Sequence, residues 1–233
     1  AYGKLILAVY GTCFLFVVVV LGAVARICGV SMRAFLRYIR EELLITFGTA
    51  STESVLPQMK RKLEQGGCEK TVVGMVLPAG YTFNPDGTAI YLTIGAIFVA
   101  QATGIDLSIG QQLVILGVLM LTSKGSAGVA GAGFVTLAAT LGSIPEIPVA
   151  GLVLLLGVDR FLNEARAITN LVGNGLATIA VAKWEGAFDS KRWNEITGDQ
   201  ARHAEVSAKW LAKREASDPR PDPVTTSEPL HAH

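Results

Sequence analysis

The hydrophobic pattern of this chain falls into long apolar blocks divided by short polar stretches. Leu5–Ala25 is an uncharged run of about twenty residues between Lys4 and Arg26. At about 1.5 Å per residue it is long enough to cross a hydrocarbon core about 30 Å thick. Next, Arg26–Leu44 carries four arginines but keeps Met32, Phe35, Leu36, Ile39 and Leu43 at helical spacing, as a helix at a membrane interface would. A second apolar block, Thr71–Ala100, has Asp86 as its only charge, and a third begins at Leu113–Leu121 and resumes at Phe134–Leu141. The last apolar block runs from Ile147 to Val158 and returns at Leu176–Ala182, with a polar stretch between.

That polar stretch is the most informative in the sequence. Asp159, Asn163, Arg166, Asn170 and Asn174 are spaced by four, three, four and four residues, which stacks them on one face of an α-helix. Read with its flanks, the ladder lies inside a membrane span. A charge at that depth costs several kcal/mol unless it faces a partner or a cavity, so Asp159 and Arg166 are functional candidates.

Three breaks interrupt the apolar blocks. Phe47–Pro57 (F-G-T-A-S-T-E-S-V-L-P) puts Gly, Ser and Thr where a helix should continue, and reads as a hairpin tip rather than a soluble loop. At Asn84–Thr88 (N-P-D-G-T), Pro85 removes a backbone donor and Gly87 loosens the helix beside Asp86. Two half-helices meeting at a carboxylate can coordinate a monovalent cation or relay a proton. Thr122–Gly133 is a second small-residue tip, whose Lys124 reads as an interfacial anchor or as a partner for an anion. A tip therefore precedes a polar-interrupted span twice, at intervals of about 34 residues, a repeat that in transporters points to a binding site near the midplane.

Composition agrees with a membrane setting: 51% hydrophobic residues, 17% charged and a net charge of +1, which gives no electrostatic footprint for nucleic acid. Lys and Arg gather at Arg26–Arg40, Lys60–Lys62 and from Lys183 onward, while Gln101–Gln112 and Ser143–Pro148 hold none, so the first group is expected on the cytoplasmic side. Cys13, Cys28 and Cys68 have no paired spacing and read as packing or loop residues, not a disulfide framework or metal site. Nucleotide binding is rejected because the second tip lacks the G-x-x-x-x-G-K-[ST] order. From Trp184 the chain turns polar and then proline-rich, as a partly disordered tail carrying His203, His231 and His233. The sequence opens at A-Y-G-K without an initiator Met, and a longer parent chain is expected.

Four motifs in order, T-A-S-T-E-S-V-L-P, N-P-D-G-T, S-K-G-S-A-G-V-A-G-A-G and D-R-F-L-N-E-A-R-A-I-T-N-L-V-G-N, resemble the dicarboxylate/amino acid:cation symporters, and within them the bacterial carriers of four-carbon dicarboxylates. The resemblance covers about residues 3–185. It implies an all-α membrane protein with two re-entrant helical hairpins, a broken span and an inverted repeat, forming the C-terminal half of a symporter of the bacterial inner membrane. Residues 1–30 would be a transmembrane helix, 31–104 the first hairpin and broken span, 105–184 the second hairpin and substrate-binding span, and 185–233 the cytoplasmic tail. The missing half would carry a trimerisation scaffold, giving a homotrimer embedded in lipid.

By the same resemblance Arg166 would pair with a substrate carboxylate, for which its planar, permanently charged fork is suited. Ser51, Thr52, Thr88, Ala127, Gly128, Val129, Gly131, Asn163 and Asn170 would complete the pocket. Asn84, Asp86, Asp159, Asn170 and Asn174 would form the cation-coupling region, with no cofactor or metal beyond a possible sodium site. Two departures bear on specificity. Asn163 stands where the amino-acid carriers have an Asp for the substrate amine, so a neutral amide favours succinate, fumarate or malate over glutamate or aspartate. Asn174 replaces a sodium-ligating Asp and Pro85 a Met; the loss of a charged ligand weakens a sodium site and favours protons as the coupling ion. The alternatives are a sodium-coupled acidic amino-acid symporter and an ion channel. A membrane-embedded enzyme is disfavoured, since no intramembrane His is available to serve Ser51 as base.

Overall fold

The computed structural model describes residues 2–124, 126, 128–142, 147–198 and 212. Among them no strand forms; Cys68 and Phe188 meet only as one isolated antiparallel bridge. The first helix, α1 (Tyr2–Ile27), is 26 residues long and, by length and composition, apolar enough to cross a membrane. Its turn widens to π geometry over Phe16–Leu21, where four consecutive valines stand. β-Branched side chains crowd the preceding turn of an α-helix, and a wider turn relieves that crowding.

After Ser31, whose hydroxyl accepts the Ala34 N–H, α2 (Met32–Tyr38) leads into α3 (Arg40–Thr49). The chain then reverses at Ala50, a left-handed residue with φ 50°, and passes a 3-10 turn at Glu53–Val55 into α4 (Leu56–Gln65). Pro57 falls in the first turn of α4, where a missing N–H leaves no bond unmade. The arms are antiparallel: Lys62 Nζ donates to the Tyr38 carbonyl at 2.9 Å and pairs with the Glu42 carboxylate at 2.8 Å. The tip expected at Phe47–Pro57 is thus narrower, because Gly48 and Thr49 remain helical.

The broken span forms as α5 (Lys70–Phe83) and α6 (Asp86–Ala102), interrupted at Asn84–Pro85. The polar link that follows is short, because α7 (Ile109–Thr122) starts at a capping box of Ser108 and Gln111. The chain reverses again into α8 (Ala132–Leu141), and hydroxyl bonds Thr140–Thr122 (3.1 Å) and Thr136–Ser126 (3.0 Å) tie the two arms.

The largest departure from expectation is at the ladder. Ile147–Val158 does not begin the ladder's helix: it forms a 3-10 turn at Val149–Leu152 and a single turn, α9 (Val153–Leu156), and then bends at Gly157–Val158. The 26-residue helix α10 (Asp159–Trp184) starts at Asp159 itself. Asp159 is therefore an N-terminal carboxylate, favoured there by the helix dipole, not a charge stranded in mid-helix. Beyond it, α11 (Ser190–Gly198) is ordered and packed, with Trp193 2% exposed. The rest of the expected tail, with its three histidines, lies outside the described residues except for Ala212.

Two hydrophobic clusters result. One gathers Phe35, Met59, Leu63, Leu77, Leu176, Ile179 and Trp193 from the first hairpin, α5, the far half of α10 and α11. The other gathers Leu92, Ala96, Leu119, Leu137, Leu155 and Leu162 from α6, the second hairpin, α9 and the near half of α10. The central helix contributes to both, and its polar face lies where they meet.

Candidate functional site

Arg166 is the largest side chain wholly enclosed by the protein, 1% exposed. Its Nε donates to Asn163 Oδ1 at 2.8 Å, one terminal nitrogen donates to the Val129 carbonyl at 2.9 Å, and the other lies 3.4 Å from Thr88 Oγ1. All three acceptors are neutral. Among the described residues no carboxylate forms an ion pair within 4.0 Å of it. Removing a guanidinium from water costs several kcal/mol, which neutral acceptors offset only in part.

Asn163 is held by Asp159, donating to its carboxylate at 2.7 Å and its carbonyl at 3.0 Å. Tyr91 donates to the other Asp159 oxygen at 2.6 Å. Asp159 therefore belongs to the arginine network. Fifteen residues of helix separate it from Asn174, about 22 Å at the α-helical rise, so the two cannot share one ion. The other candidates for cation coupling cluster apart from it: Asn84 Nδ2 donates to Asp86 at 3.2 Å and to Asn174 Oδ1 at 3.4 Å.

Asn170 stands between these groups and repairs the helix break. Its Oδ1 accepts the N–H of Gly87 at 2.7 Å and lies 3.4 Å from that of Thr88, while its Nδ2 donates to Thr88 Oγ1 at 3.0 Å. Gly87 is required by close approach, since a Cβ there would stand 2.3 Å from the Arg166 carbonyl.

The two chain reversals meet at Gly128. Its carbonyl accepts from Thr52 N at 2.9 Å, Ser51 Oγ at 3.0 Å and Thr52 Oγ1 at 3.3 Å, and its N–H donates to Glu53 Oε1 at 3.1 Å. A Cβ on Gly128 would lie 2.3 Å from Thr52 Oγ1, so any side chain there must displace the Thr52 hydroxyl. Ser51, Thr52, Gly128, Val129, Thr88, Asn163, Arg166 and Asn170 are thus brought into one hydrogen-bonded assembly. Gly131, at φ 80°, heads α8 without a bond to that assembly among the described residues; Gly133 packs against Arg166 and Tyr91 instead. Ala127 lies outside the described residues.

Sequence reasoning missed two participants, Glu53 and Tyr91, and left the partner of a third unread. Glu53 stood in plain view within the first tip. Tyr91 was indistinguishable from a packing aromatic in an apolar run. Lys124 is not simply an interfacial anchor: it donates to the Phe83 carbonyl at 2.7 Å.

Among the described residues the chain is all-helical, with a membrane-length helix, a broken helix and a charged group enclosed among amides and hydroxyls, and it belongs to a family of membrane transporters, the sodium:dicarboxylate symporter family, whose model matches residues 1–184. The family is one of transporters, not enzymes. The chain is 63% identical over 183 residues to the C4-dicarboxylate transport protein of Laribacter hongkongensis, covering 78% of this chain and 42% of that protein. It is 56% identical over 220 residues to the protein of the same name from Geobacter sp. strain M21 (94% and 49% covered), and 58% identical over 209 residues to that of Acinetobacter baylyi (90% and 46%). The chain spans about half the length of the curated relatives it matches.

Proposed function

We propose that this chain is the substrate- and cation-binding half of a secondary active symporter that imports four-carbon dicarboxylates, namely succinate, fumarate or malate, across the bacterial inner membrane. The observation that carries this reading is the buried Arg166, whose guanidinium bonds directly only to neutral acceptors, with the Asp159 carboxylate reached through Asn163. A substrate carboxylate can replace the Val129 carbonyl and Thr88 hydroxyl on the guanidinium and supply a directly bonded negative charge through two parallel bonds. Thr88, Asn170 and the two reversals then surround the substrate. Asn163, neutral and already engaged by Asp159, offers no carboxylate to an amine, so a dicarboxylate is favoured over an amino acid. The names of the relatives agree with this substrate class.

In this reading the two hairpins are re-entrant, dipping from opposite sides of the membrane, and the halves of the chain form an inverted repeat. The full-length protein is a homotrimer with this portion as its moving domain and its C-terminal tail in the cytoplasm. Protons are the coupling ion, carried by Asp86 and Asp159; Asn84 and Asn174 surround Asp86 with amides rather than further charge. The family's description names sodium, and sodium coupling is the second reading. Uptake of labelled succinate by the reconstituted full-length protein, under proton and sodium gradients imposed separately and with aspartate as competitor, tests all three elements. Uptake driven by the proton gradient and resistant to aspartate is expected. Better transport of aspartate would overturn the role given to Asn163, and a strict sodium requirement would overturn the coupling assignment.

A further inference from the structure

The break between α5 and α6 leaves a carbonyl whose natural partner has gone elsewhere. In an unbroken helix the Phe83 C=O would accept the N–H of Gly87, four residues on. That N–H instead donates to Asn170. Pro85 has no N–H to offer the preceding turn, so the end of α5 presents carbonyl oxygens and the negative pole of its dipole. Carbonyls at half-helix ends are the oxygen ligands that coupling cations use in broken-helix transporters. Here the Lys124 ammonium reaches across from the second reversal and donates to the Phe83 carbonyl at 2.7 Å. Its charge also acts on Asp86, the first residue after the break.

We propose that Lys124 is a tethered cation that stands at the carbonyl end of α5 in place of a free one, and so determines the ion selectivity of coupling. This rests on the transport reading above. An ammonium donates hydrogen bonds and carries one positive charge at the distance where an alkali ion would coordinate, so while it is seated a sodium ion is excluded by occupancy and by repulsion. Because Lys124 belongs to the second reversal, its seating also joins the position of that reversal to the break. It acts as a specificity-determining residue on the ion side, as Asn163 acts on the substrate side.

The test compares wild type, Lys124→Met and Lys124→Arg in the full-length protein. Two readouts are taken: thermal unfolding in sodium chloride against choline chloride, and succinate uptake under proton and sodium gradients. Lys124→Met vacates the carbonyl end and should gain saturable stabilisation and stimulation by sodium that wild type lacks. Lys124→Arg keeps the charge and should remain indifferent to sodium. Equal sodium responses in wild type and Lys124→Met would overturn the proposal, as would a sodium response in Lys124→Arg equal to that of Lys124→Met. If wild type moved no dicarboxylate, the transport reading would fall, while the sodium-dependent unfolding of the three proteins would still decide the role of Lys124. Since that readout compares each variant with itself in two salts, a general loss of stability does not imitate the expected result.

Discussion

At the first chain reversal the turn is bound largely to itself, with Thr49 Oγ1 bridging the Ile45 carbonyl, the Ser51 carbonyl and Ser54 Oγ, and Ser54 Oγ donating in turn to the Ser51 carbonyl. The second reversal keeps short-range bonds of its own, Ser126 N–H to the Ser123 carbonyl at 3.2 Å and Ala132 N–H to the Val129 carbonyl at 3.3 Å, but it also reaches to more distant elements. Among the described residues the Gly128 N–H and C=O go to the first reversal and the Val129 C=O goes to Arg166. Lys124 leans on α5. The two turns are clasped to each other, and the second is tied in addition to Arg166 and to α5. A segment that depends on ties to other elements opens more readily when those elements release it, and local opening free energies follow the number of such ties. The second reversal is therefore the part expected to move.

The largest effect should follow from Arg166→Ala, which removes both the site's positive charge and the tie to Val129. Losing charge-assisted bonds worth about 1.5–3 kcal/mol each should weaken dicarboxylate binding about a hundredfold or more, read by equilibrium binding, while membrane insertion persists. Near-normal binding would remove Arg166 from the site. Gly128→Ala comes next, because its Cβ would collide with Thr52 Oγ1 and force the reversals apart. In a Ser126→Cys background, where the side chain is buried, thiol labelling at the second reversal should quicken about tenfold. An unchanged rate would mean that the clasp does not hold it shut. Background labelling from this chain is low because Cys13, Cys28 and Cys68 are all buried and burial pushes the Cys68 thiol up to about 12, leaving little thiolate at neutral pH. Smallest of the three is Ser54→Ala in the first reversal. That turn keeps its other ties, so a loss of about 1 kcal/mol or less in unfolding and no change in labelling of the second reversal are expected. A large rise in labelling would show that the first turn is no more self-sufficient than the second.

Much of the architecture was legible because hydropathy and helix breakers report directly on local structure. N-P-D-G-T located the break between α5 and α6, and the spacing of Asn163, Arg166, Asn170 and Asn174 predicted one face, which the structure buries. The start of the ladder's helix was not legible. An apolar run such as Ile147–Val158 has the same hydropathy whether it continues a helix or folds into two short turns before one, and only packing decides. Partner choice was equally hidden. That Asp159 holds Asn163 and Tyr91, that Glu53 takes the Gly128 N–H, and that Lys124 takes the Phe83 carbonyl are contacts between residues 41 to 75 positions apart, apart from the local Asp159–Asn163 pair. No periodicity within one helix encodes them.

The packing of α11 bears on where this folded unit ends. Trp193 meets Tyr38 edge-on with ring centres 5.4 Å apart, and lies 6.3 Å from Phe35 and 6.1 Å from Phe188. The family match stops at residue 184, nine positions earlier. A truncation drawn at that boundary would keep every matched residue yet strip the aromatic lid from the base of the first hairpin, leaving Phe35 and Tyr38 bare and the Lys62 anchorage beside them wetter. The end of the family match and the physical border of the folded unit do not coincide, and the nine residues of α11 belong inside the latter.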